Sequence, residues 1–260
     1  MLARQIFLRR VGRTFCGALF GFVLFTALWH LFAVMLASPA LPEPLTVYLA
    51  YREALQGGIT AHAAASFLRV CIGLGISLVL ALATGTFMGL NSHGNRFLGP
   101  LLYFTYPLPK LALLPVVMLV FGIGEASKII IIVLILVFPL TLSIRDAIRS
   151  IPVENYALLI SLKASRWESL RHVTLPAVLP EVISSLRVSV GIALSALFFT
   201  ESYGTDKGLG FYIIDCWMRL DYVQMYFGLT ALAFSGFSLF FLFDAIERLF
   251  CRWSRLRRAA

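Results

Sequence analysis

Lys110 stands in the run "YPLPKLALLP" with Pro107, Pro109 and Pro115, near the middle of an apolar stretch from Phe97 to Gly124 that has no other charge. A cation at that depth costs at least ~2.5–3.5 kcal/mol on insertion scales unless it meets water or a partner. The prolines interrupt a helix and free backbone groups that lipid cannot satisfy. Interrupted helices near the midplane line substrate paths. Two readings follow: Lys110 faces a central cavity and favours an anionic substrate, or it is a structural lysine held by a carbonyl or reaching past a proline bend. Glu201, which precedes "GLG" at Gly208 to Gly210, is a second candidate for such a path. A surface pair with Arg219 or Lys207 accounts for it more simply. Catalytic chemistry is not indicated. There is no G-x-x-x-x-G-K-[ST] to cradle ATP. His30, His62, His93 and His172 have no partner at ligand spacing, and Cys16, Cys71, Cys216 and Cys251 are scattered. No enzyme activity, metal or cofactor is expected.

The elements that must carry these residues are membrane helices. The 260-residue chain is 60% hydrophobic and 13% charged, with a mean hydropathy of +0.88, far from the composition of a soluble domain. Thr14 to Leu36, Val70 to Leu90 and Tyr222 to Phe243 have no charge and are close to the length that crosses a hydrocarbon core. Phe97 to Gly124, Ile129 to Ile144 (extended by Ser127 and the Arg145 stem) and Pro180 to Thr200 complete six expected spans. The apolar run after "MLARQIFLRRVGR" exceeds a signal-peptide core, so it reads as a retained first helix.

The net charge of +9 is placed, not spread. With the N-terminus inside, Arg4, Arg9, Arg10, Arg13, Arg96, Arg145, Arg149, Lys163, Arg166, Arg171, Arg248, Arg252, Arg255, Arg257 and Arg258 are cytoplasmic, 15 of 22 Lys and Arg. Arg52, Lys128, Lys207 and Arg219 fall outside, and Arg69 and Arg187 belong at interfaces with their heads in the polar layer. The positive-inside rule therefore puts both termini in the cytoplasm of a multi-pass inner-membrane protein. The basic excess is orientation, not a nucleic-acid footprint.

The long inside loop, Arg145 to Leu175, is too polar to cross and too patterned to be slack. Trp167, Leu170 and Val173 recur every three residues, which fits a short amphipathic helix. "VENYALLISL" fits another before it, with Tyr156, Leu159 and Ile160 on one stripe. Thr174 can cap a new helix that accepts Pro176 in its first turn, and Pro180 suggests a bend. On pattern alone this loop either lies on the inner leaflet, anchored by Trp167, or docks a protein.

"ASRWESLRHVTLPAVLP" (Ala164 to Pro180) resembles the cytoplasmic EAA loop of ABC-transporter permeases of binding-protein-dependent importers, ending in Val173, Thr174, Leu175 and Pro176. "LALLPVVMLVFGIGEASKI", "ASFLRVCIGLGISLVLALATGTFMGL" and "TESYGTDKGLGFYI" are similar, in order, to the nitrate, sulfonate and taurine branch. The likeness covers roughly residues 38 to 250. Two positions depart. The family's Glu-Ala-Ala falls on Ala157, Leu158 and Leu159, and its glycine on Lys163, where a turn needing φ > 0 costs a lysine on the order of 1 kcal/mol. The family's frequent arginine before P-x-P is here Tyr106.

The resemblance implies an all-α integral membrane permease of about six spans, like type I ABC importer permeases, forming one domain over 1–260. Its importer core covers about 65–250, its basic ends are 1–13 and 252–260, and its coupling loop is 145–175. It implies separate ATP-binding cassette subunits, an external solute-binding protein, periplasmic or lipid-anchored, and a second permease chain, most simply an identical copy. Lys163, Ala164, Ser165, Arg166, Trp167 and Glu168 would contact the ATPase. The implied cargo is a small anion such as a sulfonate, taurine or nitrate, with a thiamine-pyrimidine-type heterocycle as the alternative. A self-contained secondary transporter would need acids within its spans, and Glu181 and Asp244 lie near the ends.

Overall fold

A computed structural model describes the backbone of residues 2–161 and 163–251, and their side chains except those of residues 2–16, 18, 158, 160 and 166. The arginines of both expected basic ends and the Arg166 side chain therefore lie outside the described residues. In chain order the helices are α1 (Leu2–Leu36), α2 (Pro44–Leu49), α3 (Tyr51–Gln56), α4 (Ile59–Leu90), α5 (Ser92–Thr105), α6 (Leu114–Phe121), α7 (Glu125–Arg149), α8 (Glu154–Ser161), α9 (Arg166–Ser169), α10 (Leu175–Glu201), α11 (Leu209–Met218) and α12 (Tyr222–Phe250). A 3-10 turn at Lys110–Leu113 leads into α6, and a π segment at Leu170–Thr174 joins α9 to α10. No strand occurs among the described residues. With no water to satisfy its amides, a chain of this composition closes its hydrogen bonds within helices.

Five helices are long and apolar enough to cross a membrane, and the pair Ser92–Thr105 with Lys110–Phe121 makes a sixth if read as one span. The interrupted span expected from Phe97 to Gly124 is bent by 82°. Pro107 and Pro109 have no N–H to donate, so the ladder fails between them. Pro115 does not share in that break: it sits in the first turn of α6, where the missing donor costs nothing. Between Ser38 and Thr60 the chain folds α2 and α3. The Glu201 to Asp221 connection contains α11, and α10 runs through Pro180.

The chain divides into two compact units, residues 1–59 with 213–229 and residues 60–212 with 230–260. In the first, the Trp29 indole N–H donates to the Pro42 carbonyl at 3.1 Å and its ring stacks on Tyr226. Gln224 Nε2 donates to Glu53 at 3.2 Å.

The second unit is built on α7 and α10, with Leu136, Leu140, Val190 and Leu197 fully enclosed. Helix α4 lies close on α7. A Cβ on Gly85 would meet Ile144 at 2.9 Å, and one on Gly89 would meet Ile148 at 2.8 Å. Those two glycines form the small-xxx-small pair that close helix contact needs. The same spacing at Gly17 and Gly21 faces open space. Hydroxyl pairs add cross-links within this unit: Thr84 with Thr141 at 2.9 Å and Ser143 with Ser185.

Candidate functional site

The second unit carries polar structure at both ends of α7. That 25-residue helix separates them by roughly 36 Å at about 1.5 Å per residue.

At the Arg149 end, the loop is built as two helical starts joined by one strained residue. Helix α8 opens with Glu154 in its first turn, where a carboxylate favours the helix dipole. Its end is marked by the Ala164 N–H donating to the Leu159 carbonyl five residues back, at 2.9 Å. Lys163, between them, has φ of +54°. This is the left-handed turn that usually takes glycine, and Lys163 holds it at the position where the sequence pattern placed one.

The next helix starts at Ser165, not at Thr174. Ser165 N–H donates to Glu168 Oε2 at 2.6 Å, and Glu168 N–H donates to Ser165 Oγ at 3.2 Å. This is a reciprocal capping box, and "SRWE" was its legible signature. Thr174 is helical and caps nothing. Its hydroxyl meets Tyr156 OH at 3.0 Å, tying α8 to the entry of α10. The stripe expected through Trp167 does not close over an apolar surface, for Trp167 is 66% exposed. Lys163, Ser165 and Glu168 are also exposed, and Ala164 is half-buried. The arrangement displays side chains on a backbone whose turns are internally hydrogen-bonded.

At the Glu125 end Arg69, Lys128 and Glu201 are enclosed, while Glu125 itself is exposed. Arg69, placed above at an interface, is 3% exposed and lies in α4 between two carboxylates. Its Nε donates to Glu125 Oε2 at 2.6 Å and its Nη1 to Glu201 Oε1 at 2.6 Å. Glu201 is fully buried, not a surface pair with Arg219 or Lys207. It accepts from Ser66 Oγ and from the Gly210 N–H at 2.9 Å, and Ser66 Oγ accepts in turn from the Leu209 N–H. Lys207 contributes only its carbonyl, to Arg69 at 2.8 Å, and Arg219 pairs with Asp215. Gly208 adopts φ of +128°, and a Cβ there would lie 2.3 Å from the Glu201 carboxyl carbon. The "GLG" backbone thus wraps a buried carboxylate, the reason glycines follow Glu201. Lys128 is buried in the first turn of α7 and donates to the Gly124 carbonyl. Arg187, expected at an interface, pairs with Asp244 at 2.9 Å and with Glu247.

Between the two ends lies the bend. Lys110 Nζ donates to the Tyr106 carbonyl and stands over the Phe138 ring at 4.8 Å and the Tyr106 ring at 5.4 Å, within cation–π range. Pro107 and Pro109 are exposed beside it. Sequence reasoning missed the Arg69 network because its members are 56 and 132 residues apart, with no local signature.

An all-helical chain with several apolar spans, an interrupted span and a structured polar loop defines a membrane permease. The chain belongs to the family of binding-protein-dependent transport system inner membrane components, whose sequence pattern matches residues 73–255. It is 32% identical to the taurine transport system permease protein TauC of Escherichia coli K12 over 238 residues, 89% of this chain and 86% of that protein. It is 27% identical over 251 residues to the putative aliphatic sulfonates transport permease protein SsuC of Bacillus subtilis, covering 94% and 91%. In fold it resembles a chain of the MetNI methionine ABC transporter in an inward-facing conformation, with a TM-score of 0.65 and 15% identity over 76% of this chain and 98% of that one. The chain is therefore the membrane-spanning permease of an ATP-driven importer, not an enzyme, and ATP hydrolysis belongs to a separate subunit. Family membership implies ATPase and solute-binding partners and a multi-pass place in the inner membrane.

Proposed function

We propose that this permease forms half of the path for a small anion, a sulfonate, taurine or nitrate, delivered by an external solute-binding protein. Two copies of the chain pair about a two-fold axis and close the path between them. Both termini face the cytoplasm, following the bias of the arginines. Loop 145–175 then meets the ATP-binding cassette subunits, with Lys163, Ala164, Ser165, Arg166, Trp167 and Glu168 as the contact. Residues 1–260 act as one permease domain around an importer core of about 65–250. Pro107, Pro109 and Pro115 shape the wall of the path, and Lys110 supplies its positive potential. Glu201, a path candidate by position, holds the outer end through Arg69.

The observation that supports the anion reading is Lys110 at an 82° break. An exposed break in lipid would leave carbonyls and amides unsatisfied, so this backbone belongs against water or a second protein surface. The test is uptake of labelled taurine and a sulfonate by the complete transporter, with a thiamine-type pyrimidine as competitor. Lys110→Met is expected to lower anion uptake about tenfold or more while leaving assembly unchanged. Unchanged uptake and unchanged anion preference would remove Lys110 from the path. Competition by the pyrimidine alone would replace the anion by a heterocycle.

A further inference from the structure

The second unit contains a cavity of about 400 Å³ at its loop end, walled by apolar side chains of α4, α7, α10 and α12 together with Leu170 and Thr174 of the π segment. Leu82, Ile148, Val182 and Phe243 are among its walls. Its only polar wall groups are the hydroxyls of Thr86 and Thr174, and Thr174 is already bonded to Tyr156. The Thr86 hydroxyl alone offers water too few partners there, and apolar cavities exclude it. Left unfilled, such a volume forfeits the dispersion contacts of its walls.

The charges beside the cavity are unequal. Asp146 is paired with Arg145, and Asp244 and Glu247 are engaged by Arg187, with Arg248 also on Asp244. Those three acids are therefore neutralised, which leaves Glu181, exposed beside the wall residue Val182, as the acid to set against the arginines that follow. Arg149 follows the wall residue Ile148, and Arg171 follows Leu170. Both are exposed and neither has a hydrogen bond or ion pair with another described residue. An apolar slot whose wall residues are followed in sequence by two uncommitted arginines, against the single exposed acid Glu181, in a chain whose surrounding solvent is hydrocarbon, has the chemistry of a lipid site. We propose that this cavity holds an acyl chain of an anionic phospholipid from the adjoining leaflet, with Arg149 and Arg171 taking the headgroup phosphate. The bound chain would touch Leu170, Thr174 and Leu175, the residues through which the loop enters α10. The inference needs only that the chain spans the membrane and holds whichever way the termini face.

The test is native mass spectrometry of the permease with its ATPase subunits, released from nanodiscs of phosphatidylglycerol or phosphatidylcholine. One phospholipid retained per permease chain is expected, with phosphatidylglycerol preferred about tenfold or more. Val182→Trp, which fills the cavity, is expected to lose it. Arg149→Ala with Arg171→Ala leaves the cavity intact and is expected to keep a lipid but lose the headgroup preference. Should Val182→Trp fail to fold, that double variant decides alone. No retained lipid, equal retention by a folded Val182→Trp chain, or an unaltered preference in the double variant would each overturn the assignment.

Discussion

The two ends of the second unit solve opposite problems with similar residue types. At the Glu125 end, Arg69 pairs with Glu125 and Glu201, Glu201 is wholly enclosed, and the buried Lys128 donates to the Gly124 carbonyl. At the Arg149 end, Lys163, Glu168 and Trp167 stand exposed, and the hydrogen bonds run inward to the backbone of their own turn. Buried charges are held by being paired, and losing one partner strands the other. Exposed charges cost little to keep and are free to meet something else. One end is fixed by its side chains; the other is fixed by its backbone and offers its side chains.

That contrast is broken most directly at Arg69. Arg69→Met keeps volume but leaves Glu201 buried with Ser66 and the Gly210 N–H only, and is expected to cost about 3–5 kcal/mol. The readout is the thermal midpoint of the solubilised transporter and the amount assembled in the membrane. Arg69→Met with Glu201→Met should recover more than half of the loss, because no charge is stranded. A single variant as stable as the wild type would show that the enclosure of Glu201 is not what holds this end.

The loop end should respond the other way. Trp167→Ala is expected to leave the midpoint unchanged and weaken the contact with the ATPase by about 2 kcal/mol, ~30-fold in affinity, as large exposed aromatics do when they anchor an interface. Loss of stability with unchanged affinity would make Trp167 a packing residue. Ser165→Ala removes half of the capping box and is expected to cost about 1 kcal/mol, confined to the first turn of α9. Hydrogen exchange of residues 166–169 should speed up ~5-fold, while the amides of α7 keep their protection.

The same contrast governs what was legible in the sequence. The spans were readable because hydropathy is local, and the left-handed turn at Lys163 followed from the resembled family's glycine, which falls there when its pattern is counted back from Val173. The bend was announced by Pro107 and Pro109, though not its angle, which depends on how α5 and α6 pack. Glu201 was misread as a surface group because its partners come from α4 and the Gly208–Gly210 backbone, far away in sequence. Thr174 was taken as a cap because Pro176 follows it, but the helical run begun at Ser165 continues through Thr174, where the Leu175 N–H is already bonded to the Leu170 carbonyl. Local chemistry could be read from the chain; pairings across the bundle could not.

The smallest expected effect is the one that separates strain from contact. Lys163 at φ +54° bears roughly 1–2 kcal/mol of left-handed strain, and glycine would relieve it. Glycine also enlarges the freedom of the unfolded chain, returning about 0.4–1 kcal/mol of that gain. Lys163→Gly is therefore expected to stabilise by ~0.5 kcal/mol, a rise of a degree or so in the midpoint. Lys163→Ala retains the strain and removes the ammonium, so its midpoint should not rise. If the ammonium touches the ATPase, both variants weaken that contact to the same extent, because both lack it. If only the turn matters, alanine leaves the contact intact and glycine alters it alone, and Lys163 then belongs with the backbone that shapes this end and not with the side chains it presents.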